Sequence, residues 1–78
     1  NGEYEVIEAE IIDTSDLINK ELKNADLPDE IKIGAVLRDK EVIIPRSNYI
    51  FKKNDIVVFI AKKDQIPVVE NLFRISAV

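Results

Sequence analysis

Two stretches near the middle of the chain carry the alternating apolar pattern of β-strands. Residues 31–38 ("IKIGAVLR") alternate regularly. One side of this stretch carries Ile31, Ile33, Ala35 and Leu37. Residues 41–45 ("EVIIP") follow after a short reversal. Pro45 has no amide hydrogen to donate, so it should end this strand or lie at the edge of the sheet. The two stretches therefore predict a β-hairpin.

Two further strands are predicted on either side of this hairpin. Residues 56–61 ("IVVFIA") form the longest apolar run, which predicts a strand buried on both faces. Residues 4–12 ("YEVIEAEII") predict a strand with apolar side chains on both faces. A bulge near Val6 and Ile7 would separate the apolar from the acidic side chains more completely.

Two segments carry helical signals. In "DTSDLINKELKNADLP" the side chains of Thr14, Ser15 and Asp16 can cap a helix, and Pro28 would end it after two to three turns. In "KDQIPVVENLFR" apolar residues recur at helical spacing, and Pro67 falls in the first turn, where a missing amide hydrogen is tolerated.

The predicted order is strand, short helix, β-hairpin, strand, helix. Strands outnumber helices and the hairpin is antiparallel, so the sequence predicts an α+β fold. We expect a small mixed or antiparallel sheet, with the short helix after the first strand and the C-terminal helix packed on it. The 78 residues (1–78) are enough for one domain and too few for two.

The reversal between the hairpin strands leaves two geometries open. A two-residue turn at Asp39 and Lys40 needs positive φ at both residues. Lysine disfavours that backbone, so a loop of three to four residues is equally compatible with the sequence.

Composition excludes several function classes. The chain has no histidine and no cysteine, which removes most zinc sites, Ser-His-Asp chemistry and thiolate nucleophiles. We expect no enzyme activity and no catalytic residues. The net charge of −4 argues against a nucleic-acid partner. The longest apolar run is far too short to span a bilayer, so we expect no membrane insertion and a cytoplasmic protein.

The acidic residues show no metal-binding spacing. None of the local clusters fits a calcium loop, and their simplest role is to solvate the surface of a small domain. We therefore expect no metal and no cofactor in this chain. Because the chain begins without methionine, we also expect it to be a piece of a longer protein.

Arg38 and Arg46 are the candidates for ligand binding. They stand at opposite ends of neighbouring predicted strands, roughly 12–17 Å apart at about 3.3 Å per residue. One subunit could hardly clamp one phosphate with both, whereas a twofold dimer could present one arginine from each copy to a symmetric ligand. The alternative is that each arginine pairs with a nearby acid or covers apolar surface.

Apolar groups on both faces of several strands point to a homodimer. A sheet this small can hide one apolar face from within, and a second copy would cover the other. The alternative is that residues 56–61 form only the centre of the core of a single copy.

The segments "LINKELKNADLP" and "IKIGAVLRDKEVIIPRSNYIFKKNDIVVFIAKKDQIPVVENLF" resemble the TrkA C-terminal (RCK_C) domain family. This domain is the second half of the regulator-of-potassium-conductance module. The most specific part is the R-D-x-E-V-I-I-P-R hairpin, with Asp55 ten residues after Pro45. The sequence departs from the family at Lys40 and Asn54, where relatives commonly have glycine.

The resemblance implies an α+β pseudo-barrel that dimerises in the cytoplasm. It also implies a nucleotide-binding Rossmann domain upstream and, through the full-length protein, a membrane potassium channel or transporter subunit as partner. A cyclic dinucleotide effector such as cyclic di-AMP would bind between two copies. By region, the binding residues would be Ile33, Arg38, Pro45, Arg46 and Asn48.

The resulting hypothesis is a ligand-sensing, dimerising regulatory domain for bacterial potassium transport. Two alternatives stay open at this point: a structural dimerisation module without ligand, and an accessory domain of another membrane carrier.

Overall fold

A computed structural model describes residues 3–73 of the chain. Four strands form one sheet: β1 (Tyr4–Glu10), β2 (Ile31–Arg38), β3 (Glu41–Ile43) and β4 (Ile56–Lys62). The helix α1 (Ile66–Phe73) follows β4 after a short 3₁₀ turn, Lys63–Gln65. The predicted C-terminal helix is therefore present, and Arg74 of its predicted segment lies outside the described residues.

The sheet has the strand order β1-β4-β2-β3, and all three pairings are antiparallel. This confirms the predicted α+β class and selects the antiparallel form of the sheet. Within residues 3–73 the sheet stays open and does not close into a barrel, which corrects the pseudo-barrel expectation.

The core lies on one face of the sheet, here called the inner face. Val57, Phe59 and Ala61 of β4 point into it and are fully buried. The register places Ala9 and Ile7 of β1 opposite Val57 and Phe59. The segment between β1 and β2 closes over this face with Ile11, Leu17 and Ala25, and Val69 of α1 joins the same cluster.

β4 is covered on one face only, so the prediction of burial on both faces is wrong. Ile56, Val58 and Ile60 alternate with the buried residues and point to the opposite, outer face. Ile60 is 41% exposed. The apolar run therefore contributes to two different surfaces, of which this chain covers the inner one and leaves the outer one open.

The bulge lies in β2 rather than near Val6 and Ile7. β1 pairs with β4 without interruption, whereas the register between β2 and β4 shifts between Ile33 and Ala35. Because the extra residue reverses the alternation, Val36 instead of Leu37 is buried. The predicted single apolar face of β2 is thus correct only up to Gly34.

The short helix after β1 is a 3₁₀ helix, Leu22–Asn24, in place of two to three α-helical turns. Asn19 has a left-handed backbone with φ of 66°, which interrupts the predicted helix. The amide of Asn19 donates to the Phe51 carbonyl at 2.9 Å, and the Leu22 amide donates to the Tyr49 carbonyl at 2.8 Å. Pairing with a distant segment therefore replaces the hydrogen bonds of a helix.

The hairpin between β2 and β3 uses the two-residue turn. Arg38 pairs with Glu41, and Asp39 and Lys40 have φ of 50° and 70°. Both residues lie in the left-handed region that this turn requires. The lysine is tolerated at a cost in backbone energy, since only glycine adopts this region freely.

Replacing Lys40 with glycine should stabilise the domain. Relief of left-handed strain outweighs the added flexibility of the unfolded chain, and we expect a gain of about 0.5–1 kcal/mol in the free energy of unfolding. Urea denaturation measures it. Lys40→Ala removes the same side chain but keeps Cβ, so it should not show the gain. Equal midpoints for the two variants would contradict the turn geometry.

Candidate functional site

A buried carboxylate organises one end of the sheet. Asp55 directly precedes β4 and is 1% exposed. Its two oxygens accept hydrogen bonds from Arg38 Nε and Nη2, both at 2.8 Å. The Tyr49 hydroxyl donates at 2.7 Å and the Lys52 amide at 3.0 Å. This cluster, the Asp55 network, joins the end of β2 to the connection before β4.

Arg38 makes two more contacts within the same network. Its Nη2 donates to the Ile50 carbonyl at 3.1 Å, and its guanidinium carbon lies 4.9 Å from the centroid of the Tyr49 ring. The Tyr49 ring in turn meets the buried Phe51 edge to face, with centroids 5.4 Å apart. The guanidinium is therefore held by a carboxylate, a carbonyl and an aromatic face at once.

The electrostatics of the network follow from these contacts. Burial opposes ionisation of Asp55, but the hydrogen bonds from Arg38, Lys52 and Tyr49 outweigh it and lower the pKa of the carboxyl. The bond to Asp55 raises the pKa of Arg38. Burial and the bond to Asp55 raise the pKa of Tyr49. At neutral pH the network is thus an ion pair with a neutral phenol.

The connection between β3 and β4 is also held from the other side. The Asn19 amide donates to the Phe51 carbonyl, the Phe51 amide donates to the Lys20 carbonyl at 3.0 Å, and the Lys23 amide donates to the Ser47 carbonyl at 2.9 Å. Within the same connection, the Tyr49 amide donates to the Arg46 carbonyl at 2.9 Å and closes a turn. The backbone that carries Arg46 and Asn48 is therefore well anchored.

The predicted binding residues fall into two groups. Pro45, Arg46 and Asn48 lie together on the anchored connection, and Arg38 reaches its far end through Ile50. Ile33 stands apart: it pairs with Phe59 on the inner face and packs against the core. The group assigned by region thus does not form one contiguous surface.

The two arginines differ in availability. Arg38 is bound to Asp55, which matches the alternative of an arginine paired with an acid. Arg46 is exposed, and within residues 3–73 its guanidinium has no hydrogen bond or ion pair. A contact of either arginine with a ligand stays a prediction, and Arg46 has the donors free to make one.

Asp55 and Tyr49 are the site residues that pattern analysis did not assign. The family pattern marks Asp55 only by its position, ten residues after Pro45. The available signal was an aspartate directly before the most apolar strand, where a carboxylate must be paired if it is buried. Nothing local marks Arg38 as that partner, since it lies 17 residues away along the chain.

An open polar depression of about 290 Å³ adjoins the network. Its lining residues are Arg38, Asp39, Lys52, Lys53, Asn54 and Asp55. Within the described residues no group of three or more acidic side chains could hold a metal ion. The depression offers exposed cations beside a carboxylate that is already fully bonded.

The outer face of the sheet carries five of the seven large apolar side chains that are exposed among residues 3–70. The exposed side chains on it belong to the two outer strands, to β4 and to the residue after β3. They are Tyr4 (55% exposed), Val6 (69%), Val42 (68%), Ile44 (71%) and Ile60 (41%). Val58, Ala35 and Leu37 fill the space between them and are half-buried.

The fold is that of an RCK domain. A solved chain described as "Structure of RCK domain with cda" superposes with a TM-score of 0.73 at 17% identity, covering 87% of this chain and 96% of that one. The present chain is thus a small α+β domain with the fold of that RCK domain.

The chain belongs to the TrkA-C domain family, whose model matches residues 6–74. It is 41% identical to the Trk system potassium uptake protein TrkA of Azorhizobium caulinodans over 97% of this chain. The corresponding values are 37% and 85% for TrkA of Haemophilus influenzae, and 36% and 82% for the TrkA homolog of Archaeoglobus fulgidus. The chain spans 17%, 15% and 15% of the lengths of these relatives.

Replacing Asp55 with asparagine should destabilise the domain in a pH-dependent way. At pH 7 we expect a loss of about 2–3 kcal/mol, because Arg38 keeps its charge without a counterion. A carboxyl with a lowered folded pKa stabilises above its unfolded pKa, about 3.9, and that contribution is lost as pH falls through the folded value. The difference between wild type and variant should therefore shrink below about pH 4.

Urea denaturation between pH 7 and pH 3 measures this difference. Asp29→Asn is the matched control, since Asp29 is exposed and forms no ion pair within the described residues. A difference for Asp55→Asn that stays constant across the pH range would show that the carboxylate charge is not the source of its stability.

Proposed function

We propose that this chain is a regulatory domain of a potassium-uptake protein, which dimerises and changes its arrangement when a small ligand binds. The family and the names of its relatives support the potassium-transport context. The uncovered outer face of the sheet is the observation that carries the proposal. A regulatory domain of this kind acts through an interface between copies, and this chain has an apolar surface suited to one.

The size of the outer face is suited to weak association. Four strands at about 4.8 Å and about six residues at about 3.3 Å cover roughly 20 Å by 20 Å. Two copies would then bury roughly 800 Å² of face, which is below the range of stable specific interfaces and within that of weak, transient ones. A weak homodimer fits this area, and we propose that the remaining domains of the longer protein strengthen it.

A ligand that binds at such an interface acts by favouring one arrangement of the two copies. Coupling of this kind is typically about 1–3 kcal/mol. We propose that the exposed Arg46, which lies on the same connection as Pro45 and Asn48, contacts a phosphate of the ligand. A cyclic dinucleotide is the effector that we propose, and the similar solved structure is of an RCK domain with cda.

The longer protein supplies the rest of the proposed function. We propose that a nucleotide-binding domain lies upstream, that the assembly serves a membrane potassium transporter subunit, and that the domain works in the cytoplasm. The short span of this chain relative to TrkA is consistent with additional domains. Among residues 3–73 no helix is long and apolar enough to cross a membrane.

Sedimentation equilibrium tests the dimer. We expect reversible association with a dissociation constant on the order of ten to a hundred micromolar, because the face is apolar but small. A chain that remains monomeric at high micromolar concentration would refute dimerisation of this domain.

Titration calorimetry with cyclic di-AMP tests the ligand. If the compound binds, Arg46→Ala should weaken binding by about 1.5–3 kcal/mol, the range for a charge-assisted hydrogen bond. Lys63→Ala removes an exposed positive charge near the far end of β4 and should leave the affinity unchanged. A dimer that gives no heat with cyclic di-AMP would favour the structural module without this ligand.

A further inference from the structure

We propose that two copies of this chain pack their outer sheet faces together, and that charged side chains at opposite sides of the face set the orientation. The acidic side is formed by Glu8 and Glu10, and the basic side by Lys32 and Lys62. The inference rests on the proposed dimer and names its surface and its pairing.

The register fixes where these charges lie. Glu8 and Glu10 of β1 are opposite Val58 and Ile56, so they share the outer face with the apolar residues of β4. They occupy the end of β1 that is remote from Tyr4. A column of two carboxylates therefore borders one side of the apolar surface.

The lysines lie toward the other end of the same face. Lys32 of β2 is opposite Ile60, and Lys62 of β4 is opposite Tyr4. The Lys62 ammonium lies 6.0 Å from the centroid of the Tyr4 ring, which holds it over this end of the sheet. Lys32 lies in the same cross-strand row as Ile60 and Val6, and Lys62 lies in the row beyond it, so both lysines are nearer this end of the sheet than the two carboxylates are.

Among the described residues 3–73, none of these four side chains forms an ion pair, although other exposed lysines have acidic partners. The two carboxylates lie on one side of the apolar surface and the two lysines lie on another. The acidic side of one copy is therefore complementary in charge to the basic side of a second copy. A twofold axis that runs along the apolar residues brings the acidic side of one copy opposite the basic side of the other.

Gly34 gives the face a shape that suits close approach. A Cβ added there would meet the Val58 carbonyl oxygen at 3.8 Å and Ile60 Cδ1 at 4.0 Å, which are ordinary contact distances. Its φ also lies outside the left-handed region. A single copy therefore has room for a side chain at this position, and the glycine leaves a notch beside Ile60. An apolar side chain of the second copy can fill that notch.

Charge reversal tests the pairing. One variant carries Glu8→Lys with Glu10→Lys, and the other carries Lys32→Glu with Lys62→Glu. Each variant has like charges on both sides of the face, so each should dimerise at least about tenfold more weakly than wild type, by the cost of like-charge contacts. An equimolar mixture of the two should recover association, because the heterodimer restores opposite charges at both contacts.

Matched controls separate surface position from net charge. Asp16→Lys with Asp29→Lys, and Lys20→Glu with Lys23→Glu, make the same changes in net charge on exposed residues of the segment between β1 and β2. They should dimerise as wild type does. Sedimentation equilibrium measures each protein and each mixture at low salt, native mass spectrometry identifies the heterodimer, and urea midpoints verify folding.

The outcomes distinguish this inference from the proposed function. Weak homodimers with a recovered heterodimer support the pairing. A wild-type dimer that both reversal variants match, or weak variants whose mixture does not recover, would overturn the pairing and leave the regulatory dimer standing on another surface. A wild-type chain that is monomeric throughout would overturn the dimer itself, and the pairing with it.

Discussion

The bonded carboxylate of Asp55 is the constraint on which this end of the domain depends. A charged group that is almost fully buried must be compensated, and four donors from three residues in two parts of the chain converge on it. The same bonds fix the end of β2, the aromatic side chain of Tyr49 and the entry to β4. Satisfying this charge therefore places the connection between β3 and β4 together with the backbone hydrogen bonds from residues 19–23.

The sequence predicts Arg38 and Arg46 as a pair of ligand-binding residues, but the structure gives them different roles. Arg38 is a positioning residue in this structure, because its guanidinium is divided between Asp55, Tyr49 and the Ile50 carbonyl. Arg46 lies on the backbone that this network and the segment around residues 19–23 hold in place. A free cation on an anchored loop is suited to recognition, since little conformational freedom remains to be lost when it binds.

Much of the fold could be predicted from the sequence because its strands have strong local patterns. The order of the elements, the hairpin and the C-terminal helix follow from periodicity and from proline. The errors occur where distant parts of the chain decide the outcome. Hydrogen bonds to the β3–β4 connection replace the helix expected after β1, and the bulge at Gly34 reverses an alternation that looked regular. For the site, residue chemistry identified the arginines, but their roles depend on Asp55, whose pairing with Arg38 no local spacing reveals.

The two edges of the sheet bear on how far self-assembly can proceed. β1 presents Glu5, Glu8 and Glu10 along its length, while β3 is three residues long and Pro45 follows shortly after it. Neither edge strand is a good template for adding a further strand. β1 is charged, and β3 is short and is followed by a proline. A protein with this much uncovered apolar surface would otherwise risk fibrous growth. In the dimer that we propose, contact through the flat side would stop at a finite particle and add no further copies.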